Sequence, residues 1–163
     1  MSTSRQRAYL ASPLGFAAST QAFMTELVRA LGDVVDVENP WDLGGPELGA
    51  AFNRANALPG YAERVAALHA IDMGIGAQNE AAIRRSDIVV AVLDGVDVDS
   101  GTASEIGFAY GLGKRSYGLR TDLRLAGDNL GATVNLQVQY WIEASGGAVF
   151  EKVGDLLAAL RAD

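Results

Sequence analysis

Short apolar runs alternate with longer stretches of helical periodicity along most of the chain. This alternation is typical of βαβ units and predicts a parallel sheet with helices packed against it. Ile88–Leu93 is the clearest strand, because its apolar run has no polar alternation, as expected of a central strand covered on both faces. The other predicted strands are Ala8–Ala11, Val34–Val37 and Ser116–Leu119. A fifth strand is predicted either near Ile142 or within Ala148–Phe150.

Helices are predicted between these strands. The expected ranges are Phe16–Leu31, Tyr61–Arg85, Thr102–Leu112, Asn129–Ile142 and Val149–Leu160. Gly74 and Gly76 indicate a break within the second range, and Gly146–Gly147 is expected to end the fourth. Asp42–Pro59 is interpreted as a loop, a lid or an insertion, with a short helix around Leu48–Ala55.

The length and composition suit one globular domain. The chain has 163 residues, of which 49% are hydrophobic and 20% charged, and this balance is typical of a folded, non-fibrous protein. The predicted fold class is therefore α/β, as a single domain over residues 1–163. Its sheet is expected to be a doubly wound (flavodoxin-like or Rossmann-like) parallel sheet of four to five strands with flanking helices.

Composition and charge exclude several classes of site and partner. The chain has no cysteine and a single histidine, His69, which argues against thiolate chemistry, a Ser-His-Asp triad and a histidine zinc site. The formal net charge of -7 argues against a nucleic-acid partner. No apolar run approaches ~20 residues, so no membrane contact is expected. The polar segment Met1–Arg7 lacks the apolar core of a signal peptide, and the protein is expected to be cytoplasmic.

The loop after Ile88–Leu93 is the main candidate site, because ligands of such sheets bind beyond the carboxyl ends of the strands. Four carboxylates lie within residues 94–105. Glu105 is expected in the first turn of the next helix, whose N-terminus stabilises an ionised, nucleophilic carboxylate. The alternatives are a capping box that Glu105 closes on Thr102 or Ser100, and a divalent cation without EF-hand spacing. No phosphate-binding glycine motif is present.

These residues form a set of motifs that resembles the nucleoside 2-deoxyribosyltransferase family, in the same order over nearly the whole chain. The motifs are Tyr9-Leu-Ala-x-Pro13, the strand from Asp87 to Gly95, Asp99-Ser-Gly-Thr-Ala-x-Glu105-Ile-Gly107, Thr121-Asp-Leu-Arg124, Val134-Asn135-Leu136 and Ile142-Glu143-x-Ser-Gly-Gly. The resemblance implies transfer of 2-deoxyribose between purine or pyrimidine bases, with retention at the anomeric carbon. It implies no cofactor and no metal, with 2'-deoxynucleosides and free nucleobases as partners.

The resemblance also implies roles for individual residues. Glu105 matches the nucleophile that forms a deoxyribosyl-enzyme ester, and Tyr9 matches the tyrosine that positions it. Asp99 matches an aspartate that contacts the sugar hydroxyls, and Gly101 of the same motif is expected to bind substrate. Asn135 matches an asparagine that reaches the 5'-hydroxyl from a neighbouring subunit. The resemblance therefore implies a homo-oligomer, a dimer or hexamer, with active sites shared between subunits.

The residues that would bind the base match the family pattern less closely. The family often has an aspartate where this chain has Asn79, and an amide cannot act as a general acid. Asp99 is therefore the expected proton donor. The base is expected to stack near Leu14, Phe16 and Trp41, although a tryptophan at such a position is more often a core or interface residue.

Two other functions are compatible with these residues. In a nucleoside or nucleotide N-glycosidase, water would resolve the intermediate instead of a second base. The loop Ser12–Phe16 contains no arginine for a 5'-phosphate, which favours a nucleoside substrate. The second alternative is a non-catalytic nucleotide-sensing module, since doubly wound scaffolds host many functions. The pairing of Tyr9 with Glu105 favours an enzyme over a sensor.

Overall fold

The protein folds around one sheet of five parallel strands. The computed structural model describes residues 5–163; the first four residues of the polar segment Met1–Arg7 lie outside this range. The strands are β1 (Arg7–Ala11), β2 (Asp36–Glu38), β3 (Ile88–Val92), β4 (Arg115–Leu119) and β5 (Val149–Phe150). Their order across the sheet is β2-β1-β3-β4-β5, with every pairing parallel. This is the flavodoxin-like order of a doubly wound sheet, so the predicted fold class is confirmed.

Two hydrophobic layers cover the sheet, one on each face. All five residues of β3 are buried, as predicted from its unbroken apolar run. Strand alternation separates the layers, since Leu10 and Val90 belong to one apolar cluster and Tyr9 and Val89 to the other. The cluster that includes Tyr9 lies beneath the site described below.

Seven α-helices accompany the sheet within residues 5–163. They are α1 (Gln21–Gly32), α2 (Pro40–Leu43), α3 (Gly45–Asn56), α4 (Tyr61–Arg85), α5 (Ser100–Gly111), α6 (Leu136–Ala144) and α7 (Val153–Ala162). Single 3₁₀ turns at Leu14–Phe16 and Ala18–Thr20 precede α1. The helix predicted from Phe16 therefore begins only at Gln21.

The loop interpretation of Asp42–Pro59 is wrong, whereas the short helix predicted around Leu48–Ala55 is confirmed and lies within α3. This region is largely helical, because α2 ends within it and α3 occupies most of it. Pro40 and Pro46 lie in the first turns of α2 and α3, where the missing N–H costs nothing and the fixed φ favours a helix. The break predicted at Gly74 and Gly76 is also wrong, since α4 runs through both glycines without interruption.

Several other elements differ from the prediction in where they begin and end. The helix predicted from Asn129 begins at Leu136, because the Asn135 side chain caps α6 at that point. Val149–Phe150 forms β5, which confirms the second of the two predicted positions and moves the start of the last helix to Val153. The strand predicted at Val34–Val37 starts two residues later and ends one residue later, at Asp36–Glu38.

No helix in the described part of the chain combines the length and apolarity needed to cross a bilayer.

Candidate active site

A cavity of about 650 Å³ opens at the carboxyl edge of the sheet, beside the ends of β1 and β3. The strand order reverses between these two strands, and such a switch point is where doubly wound folds bind ligands. The loop after β1, the helices α2 to α4 and the start of α5 all contribute to its walls. The lining residues are Ser12, Phe16, Pro40, Trp41, Leu48, Phe52, Asp72, Ile75, Gly76, Asn79, Asp99, Ser100, Gly101, Thr102 and Glu105.

Tyr9 and Glu105 form a hydrogen-bonded pair at the inner end of this cavity. Tyr9 is fully buried in the middle of β1, and its hydroxyl donates to Glu105 Oε1 at 2.6 Å. Oxygen–oxygen distances of about 2.5–2.7 Å are typical of bonds to an ionised acceptor. Glu105 lies on α5, which is separated from β1 by 96 positions in the chain. The sheet and one helix therefore fix this carboxylate from two sides.

The surroundings of the pair change the pKa values of both groups. Burial raises the pKa of Glu105, the hydrogen bond from Tyr9 lowers it, and the negative charge of Asp99 raises it again, with a raised pKa as the outcome. Burial and the Glu105 charge raise the pKa of Tyr9 far above its usual value. Tyr9 therefore stays protonated and acts as a hydrogen-bond donor, whereas Glu105 is the group whose charge can change.

Asp99 caps α5 through Oδ2, which accepts a hydrogen bond from Thr102 N at 3.0 Å. The capping-box alternative is therefore wrong, because neither Ser100 nor Thr102 is the cap. Glu105 lies in the second turn of α5, so the prediction of a first-turn position is also wrong. The field of a helix N-terminus falls off within the first turn. Tyr9, and not the helix end, is the main partner of the carboxylate.

Gly101 and Asp99 are in close contact at the start of α5. A Cβ at Gly101 would lie 3.0 Å from Asp99 Oδ2, so a larger residue would push against the capping carboxylate. Within residues 5–163, no cluster of three acidic or histidine side chains has the geometry to hold a metal ion.

One face of α4 forms a polar wall of the cavity. Asp72, Ile75, Gly76 and Asn79 all line it, at the spacing of successive helical turns. Asn79 thus lies in the cavity with Glu105 and Asp99. Asp72 and Ile75 were not predicted as site residues. Their spacing from Asn79 along the uninterrupted helix is the signal that could have found them.

Phe16 and Trp41 form an aromatic wall. Their rings meet edge to face, with centroids 4.5 Å apart and planes at 87°. Trp41 Nε1 donates to Ser12 O at 3.2 Å, and the indole lies where a Cβ on Gly15 would overlap it. Leu48 and Phe52 of α3 complete this side. Both lie in the short helix predicted around Leu48–Ala55, but the sequence gives no signal that this helix faces a cavity.

Three predicted site residues do not line the cavity. Tyr9 lies behind the lining and reaches the site through its hydrogen bond to Glu105. Leu14 packs against the apolar cluster on the opposite face of the sheet. Asn135 Oδ1 accepts from Gln137 N at 3.0 Å as the cap of α6, and Asn135 does not line the cavity. A role for Asn135 in substrate binding therefore requires a neighbouring subunit and stays a prediction.

A buried arginine joins the loops that follow β3 and β4. Arg120 is 2% exposed, and its guanidinium donates to Leu93 O at 2.5 Å and to Gly95 O at 3.1 Å. Asp94 strengthens the same junction by accepting from Thr121 N and Thr121 Oγ1, both at 2.6 Å. These bonds hold the start of the loop that leads to the α5 cap. Nothing in the sequence pattern distinguished Arg120 from a surface arginine.

The charge of the cavity wall has one sign. Asp72, Asp99 and Glu105 are acidic, and no lysine, arginine or histidine of the described chain is among the lining residues. The wall therefore presents hydrogen-bond acceptors beside apolar and aromatic surface. A neutral ligand that carries N–H and O–H donors suits such a wall better than an anion.

Comparison with known families identifies one match. The family model described as nucleoside 2-deoxyribosyltransferase matches residues 8–137. The matched range includes Tyr9, Asn79, Asp99, Glu105 and Asn135. No curated protein sequence gives a significant match to this chain.

Among the solved structures that resemble this chain, three match it over nearly its whole length. A conserved protein from Enterococcus faecalis V583 shares 27% identity, with 98% of this chain and 99% of that chain covered and a TM-score of 0.69. A 2-deoxyribosyltransferase from Bacillus psychrosaccharolyticus shares 22% identity (94% and 95% covered, TM-score 0.60). A CMP N-glycosidase from Clostridium botulinum shares 18% identity (95% and 98% covered, TM-score 0.52). At these identities the last two show a common fold.

Proposed function

The chain belongs to the nucleoside 2-deoxyribosyltransferase family, and from this premise we propose that it transfers 2-deoxyribose between nucleobases through a covalent intermediate on Glu105. The observation that carries the proposal is the Tyr9–Glu105 hydrogen bond of 2.6 Å at the inner end of the cavity. A carboxylate oriented by a buried phenol has the geometry of a nucleophile and no evident structural purpose.

The proposed reaction consists of two displacements at the same carbon. In the first, the Glu105 carboxylate attacks C1', and the departing base takes the electron pair of the glycosidic bond. In the second, a ring nitrogen of the incoming base attacks C1', the carboxylate leaves, and Asp99 takes back the proton that the ring nitrogen loses. Two inversions give retention of configuration through an oxocarbenium-like transition state. Tyr9 holds the carboxylate in line in both steps.

Asp99 is the proposed proton donor to the departing base. Its carboxylate lines the cavity beside Glu105. Asn79 lines the same cavity, but its amide can only form hydrogen bonds and cannot transfer a proton at neutral pH. One Asp99 oxygen accepts the helix-capping bond from Thr102, which leaves the other for the substrate. Asn79 is assigned to hydrogen bonding with the base, and Phe16 and Trp41 to stacking against it.

The acidic wall supports a nucleoside substrate. A 5'-phosphate would bring negative charge to a cavity that has three carboxylates and no cation in its described lining. One structural neighbour is a CMP N-glycosidase, so hydrolysis of a nucleotide is the alternative activity. The acidic charge of the cavity wall disfavours that alternative.

We also propose that the active protein is a homo-oligomer. The segment from Leu123 to Tyr140 exposes several large apolar side chains, and exposed patches of this kind mark interfaces. Its exposed members are Leu123, Leu125, Leu130, Leu136 and Tyr140. Asn135 lies among them and would thereby reach a neighbouring site. A strictly monomeric and fully active protein would contradict this proposal.

Product analysis tests the proposed reaction. The protein is incubated with deoxyinosine and excess adenine, and the products are separated by chromatography. A new deoxyadenosine peak that Glu105→Gln abolishes supports transfer. Hypoxanthine without a new nucleoside indicates a hydrolase, and cleavage of deoxynucleoside monophosphates alone contradicts the nucleoside substrate. If neither nucleosides nor monophosphates are turned over, the non-catalytic nucleotide-sensing module becomes the better explanation.

A further inference from the structure

Asp72 occupies a part of the cavity that the proposed reaction does not use. Helix α4 runs into β3, and its last turns pack into the core through Ala82 and Ile83. Residues earlier in α4 therefore lie progressively further from that anchored end, by about 1.5 Å each. Asp72 lies seven positions before Asn79 on the same lining face, or about 10 Å further from that anchored end.

The Asp72 and Asn79 side chains have no partner of their own. Within residues 5–163, neither makes a side-chain hydrogen bond or an ion pair with the protein, although both line the cavity. An ionised carboxylate only accepts hydrogen bonds, whereas an amide both accepts and donates. Asp72 thus offers a hydrogen-bond acceptor, and Asn79 offers both an acceptor and a donor.

The aromatic wall limits how a base can lie between these elements. Phe16 and Trp41 line the same cavity as the α4 face. Because the two rings are nearly perpendicular, a base stacks on one of them, which covers one of its flat faces and leaves its polar edge to meet the polar side chains of α4. With the sugar at Glu105, the edge remote from the sugar points outward along α4.

We propose that Asp72 determines base specificity by accepting hydrogen bonds from an exocyclic amino group on the edge of a purine remote from the sugar. The inference rests on the proposed function, because it takes the sugar to lie at Glu105. A carbonyl oxygen at that edge would face the carboxylate without a proton between them, which is unfavourable. A base that has no substituent at that edge makes neither the favourable hydrogen bond nor the unfavourable contact with Asp72.

The experiment compares adenine with unsubstituted purine, which differ by the amino group alone. Deoxyinosine serves as the common sugar donor, and kcat/KM is measured for each acceptor base. Asp72→Ala removes the acceptor, and alanine is well tolerated at an exposed helix position. Glu63→Gln is the matched control, because it removes one negative charge from α4 outside the cavity lining. Both bases are also titrated into each protein by calorimetry, which measures base binding without turnover.

The expected result is a preference of the unmodified protein for adenine over purine of about tenfold, which a bond to a charged acceptor supports. Asp72→Ala reduces this ratio to about one by lowering kcat/KM and binding for adenine, whereas Glu63→Gln keeps the ratio. An equal ratio in the unmodified protein and in Asp72→Ala would overturn the inference.

The calorimetry separates this inference from the proposed function. If no sugar is transferred but Asp72→Ala still abolishes the binding preference for adenine, the proposed reaction fails and the role of Asp72 stands. If transfer occurs and the binding preference is the same in both proteins, the role of Asp72 fails and the reaction stands.

Discussion

The inner and outer ends of the cavity are built from different parts of the fold. Tyr9 and Glu105 at the inner end lie on β1 and α5, and Tyr9 is fully buried. At the outer end, Phe16 is 81% exposed and Trp41 41% exposed, on short segments at the edge of the molecule. The sheet thus fixes the groups assigned to the reaction, while exposed side chains are assigned to recognition. Substitutions at the two ends should therefore have different consequences.

Glu105→Gln should have the largest effect on turnover. Glutamine keeps the shape and the acceptor for Tyr9 but cannot form the glycosyl ester, so kcat should fall by about 10⁴-fold or more. Single-turnover product analysis measures this loss. Residual transfer near the original rate would show that the inner end does not carry the reaction.

The same variant should be more stable than the unmodified protein at neutral pH. Because the pKa of Glu105 is raised in the fold, its stabilising contribution is complete below the unfolded pKa and is lost as pH rises through the folded pKa. Above that value the ionised group opposes folding, and Glu105→Gln removes this cost. Urea unfolding should show a higher free energy of unfolding for the variant at pH 7 and no such gain at pH 3.

Tyr9→Phe should have the second-largest effect and should change the pH profile. Loss of the hydroxyl removes the one interaction that lowers the pKa of Glu105, so that pKa should rise further. The acid limb of the kcat/KM profile should then move to higher pH, with a loss of about 10²-fold at the optimum. A rate loss with an unmoved acid limb would mean that Tyr9 acts through packing alone.

Trp41→Ala should mainly change substrate binding. It removes the edge-to-face contact with Phe16 and the proposed stacking surface, which is worth about 1–3 kcal/mol per base. KM should rise roughly tenfold or more, with kcat nearly unchanged. Steady-state kinetics separates the two constants. A fall in kcat comparable to that of Tyr9→Phe would erase the distinction between the two ends.

Asn135→Ala should have the smallest effect on turnover, and this effect is the hardest to assign to one cause. It removes the cap of α6, which costs about 1 kcal/mol of stability, and this loss would be confused with a loss of sugar binding. Asn135→Ser keeps a capping oxygen and shortens the side chain. A raised KM in Asn135→Ser, with the free energy of unfolding unchanged, would support the shared site. Unchanged kinetics in both variants would remove Asn135 from the site.

The sequence predicted the inner end better than the outer end for a physical reason. A fully buried strand such as β3 is recognisable from its apolar run alone, and the loop after it places Asp99 and Glu105. Only part of α3 is predicted, as a short helix around Leu48–Ala55, because Pro46 and the neighbouring glycines resemble a loop. In the structure, Pro46 lies in the first turn of the helix, and a Cβ at Gly49 would meet nothing within 4 Å.

Long-range contacts explain the remaining differences. The hydrogen bonds of Arg120 join segments about 25 residues apart, and no local pattern encodes them. A two-residue strand such as β5 is too short to show a periodicity. The family motifs brought the reactive residues together where local patterns could not.

The length of α4 has a consequence for local unfolding. The helix has 25 residues, or about 37 Å, yet its buried residues are only Ala82 and Ile83 near its end. Opening of its first turns therefore exposes little apolar surface, and amide hydrogens there should exchange with solvent faster than those near Ile83. Asn79 lies toward the protected end, and Asp72 lies at the middle of the helix. The turns that precede Asp72 can thus open locally while Tyr9 and Glu105 stay in contact.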